Sequence, residues 1–215
     1  MQVRTRLAIV VTSLLLAAIT MSGCATTGMQ RSEKTGVTMK AVEQDIQKAV
    51  LQVDVTAASL QELVRPEQPD VKKAFKIYVA DVDKMEHLGK VLFEHTDKMS
   101  AQGKNYFDEW QKQGDAYANP EIESLSEQRR NEMNTFYVKI SESSVGVKGA
   151  AKAYLSNIKE LRTYLSNDLT PKGVEAITPV ARQAVRDGEN LKASVTPVLN
   201  AIDAGRAELA HGAAR

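Results

Sequence analysis

A single cysteine in 215 residues leaves no thiol to close a disulfide within the chain and no basis for a cysteine metal site. The fold must therefore be held by packing. Six prolines and eleven aromatic residues are modest numbers, and Ala, Val, Leu, Glu and Lys dominate instead. That balance belongs to long helices rather than to a sheet or a disordered chain. Net charge is equally slight: the formal value is +1 for the whole chain, and taking away residues 1–23 with Arg4 and Arg6 leaves 26 bases against 27 acids. Such a balance removes the electrostatic case for nucleic acid as a partner.

Long apolar runs are also scarce, with one exception at the start. Arg4 and Arg6 precede an apolar stretch from Leu7 to Ile19, which is followed by Met21-Ser22-Gly23-Cys24. This order reads as a secretory signal covering residues 1–23. The segment of about 17 residues from Leu7 to Gly23 is at the lower limit for spanning a bilayer. Its ending resembles the lipobox of bacterial lipoproteins, with Met21 where leucine is most common. The resemblance implies that Cys24 is acylated and becomes the first residue of the mature chain. Several acyl chains, each methylene contributing about 0.8 kcal/mol on burial, anchor stably where one would be marginal. Ala25 follows Cys24, and the absence of aspartate there implies, by the same resemblance, the outer membrane with the body in the periplasm. Residues 24–36 are expected to form the lipidated cysteine and a flexible polar tether.

From residue 37 the apolar positions alternate in steps of three and four, the signature of helices with one buried stripe. The expected architecture is all-α: a single domain over 37–215, an elongated antiparallel up-and-down bundle of four long helices at about 37–64, 70–117, 120–165 and 171–210. The first stripe runs Met39, Val42, Ile46, Ala49, Val53, Thr56, Leu60, Leu63 and stops at Arg65-Pro66. The second is the most regular, from Val71 through Tyr78, Met85, Leu92, Met99, Tyr106 and Trp110 to Tyr117. A seven-residue repeat sustained this long predicts coiled-coil seams. Glu86–Lys90, Glu94–Lys98 and Asp108–Lys112 stand at i,i+4 and are expected to pair along that helix.

Asn119-Pro120-Glu121 reads as a helix start, and so does Thr170-Pro171. The third stripe runs Ile122, Leu125, Arg129, Met133, Phe136, Ile140, Val147, Ala150, Tyr154, Ile158 and Leu161. In an antiparallel hairpin Gly103 then falls near Met133 and Phe136. Within the fourth helix Pro179 and Pro197 leave the apolar phase unchanged, which predicts a kinked helix rather than a loop. By helix rise, a first helix of about 40 Å beside a second of about 70 Å leaves an overshoot of about 30 Å, a protruding hairpin.

That hairpin end holds Tyr106, Phe107, Trp110 and Tyr117. In register they pack on the third helix, although amphipathic aromatics also suit a membrane or partner surface. Phe107, Trp110, Tyr117 and Arg129 are the candidate interaction residues. Glycines at 89, 103, 188 and 205 occupy stripe positions, which points to close helix approach or to a mobile bundle. Ser143–Gly149 is the weakest helical stretch of the third segment and lacks the spacing of a phosphate loop. His87 with Asp83, and Glu208 with His211, are single pairs that fall short of a metal set. No arrangement for nucleophilic catalysis stands out, so no catalytic, metal or cofactor residue is assigned and the protein is expected not to be an enzyme.

Three stretches carry a wider resemblance: QVDVTAASLQELV (52–64), YFDEWQKQGDAYANPEIESLSEQRR (106–130) and SVGVKGAAKAYLSNIKELRTYLSNDLTPKGVEAI (144–177). Over them, from about Arg31 to Arg206, the chain resembles a Gram-negative lipoprotein family known only as a domain of unknown function. The resemblance implies a long-helix body and a lipid address and brings no activity. The functional expectation is a helical scaffold or interaction module for an envelope protein partner, with a second copy of the chain another candidate partner. A hairpin that opens into membranes and a carrier of apolar ligands in space left by the stripe glycines are the alternatives.

Overall fold

The computed structural model describes residues 27–114 and 116–213, with side chains placed up to residue 210. The expected signal segment and Cys24 lie outside the described residues. Four helices follow one another: α1 (Gly28–Leu63), α2 (Val71–Gly114), α3 (Pro120–Asn167) and α4 (Pro171–Ala213). Each packs on two neighbours, α1 on α2 and α4, and α3 on α2 and α4. The result is an all-α, up-and-down four-helix arrangement. Helix rise gives lengths of about 54, 66, 72 and 65 Å, from 36, 44, 48 and 43 residues.

Helix α1 begins well before residue 37, which corrects the expected tether. Thr27 caps it: its hydroxyl accepts from the Gln30 amide at 3.2 Å, and Gln30 Oε1 accepts from the Thr27 amide at 3.0 Å. This reciprocal pair satisfies donors that a helix start leaves orphaned. The buried stripe also continues backward in the same phase through Thr35, which is fully buried. A count of apolar residues passes over small polar side chains, which is why the segment reads as tether from sequence.

The longer α1 removes the protruding hairpin. The calculated excess of α2 over α1 falls from about 30 Å to about 12 Å, and Arg31 Nη2 reaches Gln113 Oε1 at 2.9 Å, one residue before α2 ends. Ser32 donates to the Leu209 carbonyl at 3.4 Å. All four helices therefore meet at the end where the described chain begins.

Burial follows the stripes closely in α1, where all eight expected positions are buried. In α4 the stripe Val174, Ile177, Ala181, Ala184, Gly188, Leu191, Val195, Val198, Ile202, Gly205 and Leu209 is buried at every position except Ile177, and the helix is continuous across Pro179 and Pro197. Both prolines face outward, where a missing amide exposes no buried carbonyl to an apolar surrounding. Helix α3 is likewise continuous through Ser143–Gly149. Its stripe departs further from expectation, with Arg129, Phe136 and Val147 only half-buried. Ala151 rather than Ala150 is buried, and Ile122 and Leu125 are exposed.

Two apolar clusters divide the core along its length. One centres on Leu60, Leu63, Tyr78, Val82, Ile158, Leu161 and Leu165, toward the α1–α2 and α3–α4 turns. The other centres on Met39, Val42, Met99, Met133, Ile140 and Ile202, toward the opposite end. Buried polar groups pin the register between them. Gln52 and Thr56 on α1 both donate to the Asp81 carbonyl on α2, at 3.3 and 3.4 Å, and Tyr78 donates to the Ile158 carbonyl on α3 at 2.7 Å.

Three of the four stripe glycines are filled rather than vacant. A Cβ on Gly103 would lie 1.8 Å from Tyr137 Cε1, and one on Gly89 or Gly188 would lie 2.8 Å from Leu155 or 2.9 Å from Val53. Large facing side chains occupy the space these three glycines leave, so close approach is their role, whereas a Cβ on Gly205 would make ordinary contact with Ile140 at 3.4 Å. Gly103 meets Tyr137, one position on from the expected Phe136. Two of the three expected i,i+4 pairs of α2 are replaced as well. Glu86 binds Lys159 at 2.7 Å and Arg162 at 3.3 Å, both on α3, Lys112 turns to Glu109, and Asp108 turns to Lys104. Carboxylates near a seam find cations across it, where both groups are less hydrated than on the open helix face.

Candidate functional site

The start of α1, the end of α2, the start of α3 and the end of α4 enclose a cavity of about 430 Å³. Met29, Tyr106, Trp110, Tyr117, Arg129 and Glu208 are among the side chains that line it. Three of the four candidate interaction residues thus share one site. Phe107 packs beside it instead, its ring edge-on to Tyr137 at 5.3 Å and to Tyr106 at 5.1 Å.

The aromatic residues are held in place. Trp110 Nε1–H donates to Ser126 Oγ on α3 at 3.0 Å, and its ring meets Tyr106 edge-on at 5.5 Å. Such pairs contribute about 0.5–1.5 kcal/mol beyond burial. Tyr106 is buried, and burial pushes its phenol pKa up. Packing on α3 therefore accounts for Tyr106, Trp110 and Phe107. Tyr117 differs, because it sits in the α2–α3 turn with 41% of its surface exposed.

Arg129 spans the cavity wall, paired with Glu132 on its own helix at 3.3 Å and with Glu208 on α4. Burial opposes its charge, but the bonds to Glu208 and Glu132 outweigh that and hold the guanidinium firmly protonated. This pairing also engages the glutamate of the Glu208–His211 spacing. Asp83, the other half of the surface pair with His87, binds Arg162. Among the described residues no group of three or more His, Cys, Asp and Glu side chains is placed to hold a metal ion.

A second polar feature lies midway along the bundle. Asp45 on α1, 6% exposed, accepts from His95 Nδ1 on α2 and from Lys48 at 3.3 Å. A carboxylate orienting an imidazole is half of a nucleophilic triad, but no serine or threonine hydroxyl is hydrogen-bonded to His95 among the described residues. The arrangement ties α1 to α2. At the far end, residues of the α1–α2 turn and the start of α4, including Val64, Pro66, Val71, Val174 and Pro179, line a second cavity of about 560 Å³.

Met29 and Ser126 belong to the aromatic end and were not singled out by sequence reasoning, and Glu208 was weighed only as half of a metal pair with His211. Met29 lies in the segment that reads as tether, and Ser126 and Glu208 acquire roles only from the α3 and α4 registers. Among the described helices none is long and apolar enough to cross a membrane. No family model, no curated protein and no solved structure matches this chain.

Proposed function

We propose that the protein is a non-enzymatic lipoprotein, acylated at Cys24 and held on the outer membrane with its body in the periplasm, where it acts as a helical scaffold or interaction module. One observation carries the reading. Helix α1 starts at Gly28, four positions after the cysteine of the lipobox-like sequence, so the anchor is joined to one end of a bundle about 65 Å long. The α1–α2 and α3–α4 turns then stand at the opposite end, displayed to whatever occupies the envelope. The heptad spacing of α2 makes its contacts coiled-coil seams, which suit a stiff spacer. The resemblance over residues 52–64, 106–130 and 144–177 to lipoproteins of a domain of unknown function belongs to the same proposal.

Photo-crosslinking from Glu67 and Asn167, in the acylated full chain within cells, tests the scaffold role. The expected result is a discrete envelope-protein adduct from the turn positions and none from exposed mid-bundle Val145. Adducts from neither turn count against the reading. Mass analysis of the N-terminal peptide tests the address, with a diacylglyceryl-modified Cys24 expected.

A second reading, a carrier of apolar ligands, is favoured by the cavity at the far end. Three valines and three prolines make up half of its lining, whereas Gly89, Gly103 and Gly188 leave no room. Native mass spectrometry of freshly isolated protein would show a bound lipid if this reading holds.

A further inference from the structure

We propose that the end of the bundle around Trp110 and Tyr117 is a docking face for the interfacial layer of a zwitterionic phospholipid membrane. The proposal deepens the lipoprotein reading and rests on it for the position of the anchor.

Apolar groups at this end are left uncovered. Met29 is 56% exposed, Ile122 47% and Leu125 61%. Further along the α3 stripe, Met133, Ile140, Tyr154 and Ile158 are buried against neighbouring helices, whereas Ile122 and Leu125 are not. Ile122, Leu125 and Arg129 stand at i, i+3 and i+7, so they share one face of α3, and Arg129 lines the cavity with Met29 and Tyr117. The exposed side chains and the open cavity therefore form one continuous surface. Aromatic residues with polar tips, of which Trp110 and Tyr117 are two, favour the headgroup level of a bilayer.

Chain length selects the occupant. Between Cys24 and the Thr27 cap stand only residues 25 and 26, which span at most about 11 Å when fully extended. Headgroup layers add roughly 5–8 Å to each side of the hydrocarbon core. An acylated Cys24 therefore holds the first turn of α1 against that layer, and the uncovered face beside Met29 goes with it. Charge selects the lipid. Residues 104–132 carry four bases and seven acids, so an anionic surface would repel this end whereas a zwitterionic one would not.

Trp110 is the chain's only tryptophan and reports the contact directly. The acylated full chain is reconstituted into vesicles of phosphatidylcholine and phosphatidylethanolamine, with and without brominated phosphatidylcholine. Loss of Trp110 emission in the brominated vesicles is expected. A reporter at the other end, Tyr164→Trp in a Trp110→Phe background, is expected to keep its emission. The double variant Ile122→Ser/Leu125→Ser, which alters exposed side chains only, is expected to fold normally and to lose most of the quenching.

Three results overturn the docking face: no quenching of Trp110, equal quenching at both ends, or quenching that requires phosphatidylglycerol. If mass analysis finds Cys24 unmodified, the anchor reading fails by itself. Unacylated protein added to the same vesicles then decides, with quenching sustaining the face and its absence removing it.

Discussion

Replacing Gly103 with alanine sets two effects against each other. Alanine in a helix interior is favoured over glycine by about 1 kcal/mol, so an idle glycine in α2 would yield a more stable protein on substitution. The structure reverses this sign. A Cβ at 103 would lie 1.8 Å from Cε1 and 2.3 Å from Cζ of Tyr137, against about 3.5–4 Å for carbon atoms in contact. The ring cannot simply swing aside, because Phe107 holds it edge-on at 5.3 Å and Thr35 packs at its hydroxyl. Overpacking costs about 1–3 kcal/mol, and disturbing the Phe107–Tyr137 pair adds about 0.5–1.5 kcal/mol. After subtracting the propensity gain, Gly103→Ala is expected to destabilise by roughly 1–3 kcal/mol. Urea unfolding followed by circular dichroism measures it, with Gly146→Ala as the control. Nothing lies within 4 Å of a Cβ at Gly146, so that variant should gain up to about 1 kcal/mol. A thermal scan should show a drop of about 2–4 °C per kcal/mol for a body of this size. In a Tyr137→Leu background the cost of Gly103→Ala should shrink, since the clashing ring is gone. If Gly103→Ala stabilises as Gly146→Ala does, the packing of α2 on α3 described here is wrong.

Pro197→Ala should stabilise by up to about 3 kcal/mol, because α4 is continuous across an outward-facing Pro197; an unchanged urea midpoint would mean that the helix is already broken there. Removing the His95 ring by His95→Ala leaves the buried Asp45 carboxylate with Lys48 as its remaining partner and should cost about 1–3 kcal/mol, read from the same unfolding curves. Burial raises the pKa values of Tyr78, Tyr137 and Tyr154 above the ordinary value of 10.0. Above pH 10.0 the unfolded chain releases these protons first, so stability is full below that pH and falls as pH rises beyond it. Tyrosinate absorbance followed alongside helix content checks this, and ionisation of all six tyrosines before any loss of helix would contradict it.

Much of the helical body was legible from sequence because it rests on local regularities. Asn119 accepts from the Glu121 amide at 2.9 Å and Thr170 from the Gly173 amide at 3.1 Å, as the Asn-Pro and Thr-Pro pairs imply. The α1 and α4 stripes are buried nearly position for position. Legibility ended where a helix is held by polar side chains. Thr35 continues the α1 stripe and Thr27 caps it, but neither registers in an apolar count. The candidate site was legible only as an aromatic concentration near the hairpin turn. That Arg129 would meet Glu208, or that Ile122 and Leu125 would stay uncovered, depends on the axial offset of α3 and α4 against their neighbours.

By themselves, the residues determined helix class, the positions of the turns and the inward face of each rod, since these follow from caps, prolines and a period of three and four. Only the tertiary structure decided which side chain fills each glycine, which carboxylate meets which cation, and that α1 reaches the aromatic end. The physical reason is that a stripe specifies a face but not an axial offset. A slide of one helical turn, about 5.4 Å along the axis, leaves the apolar face buried while changing the partners across the seam.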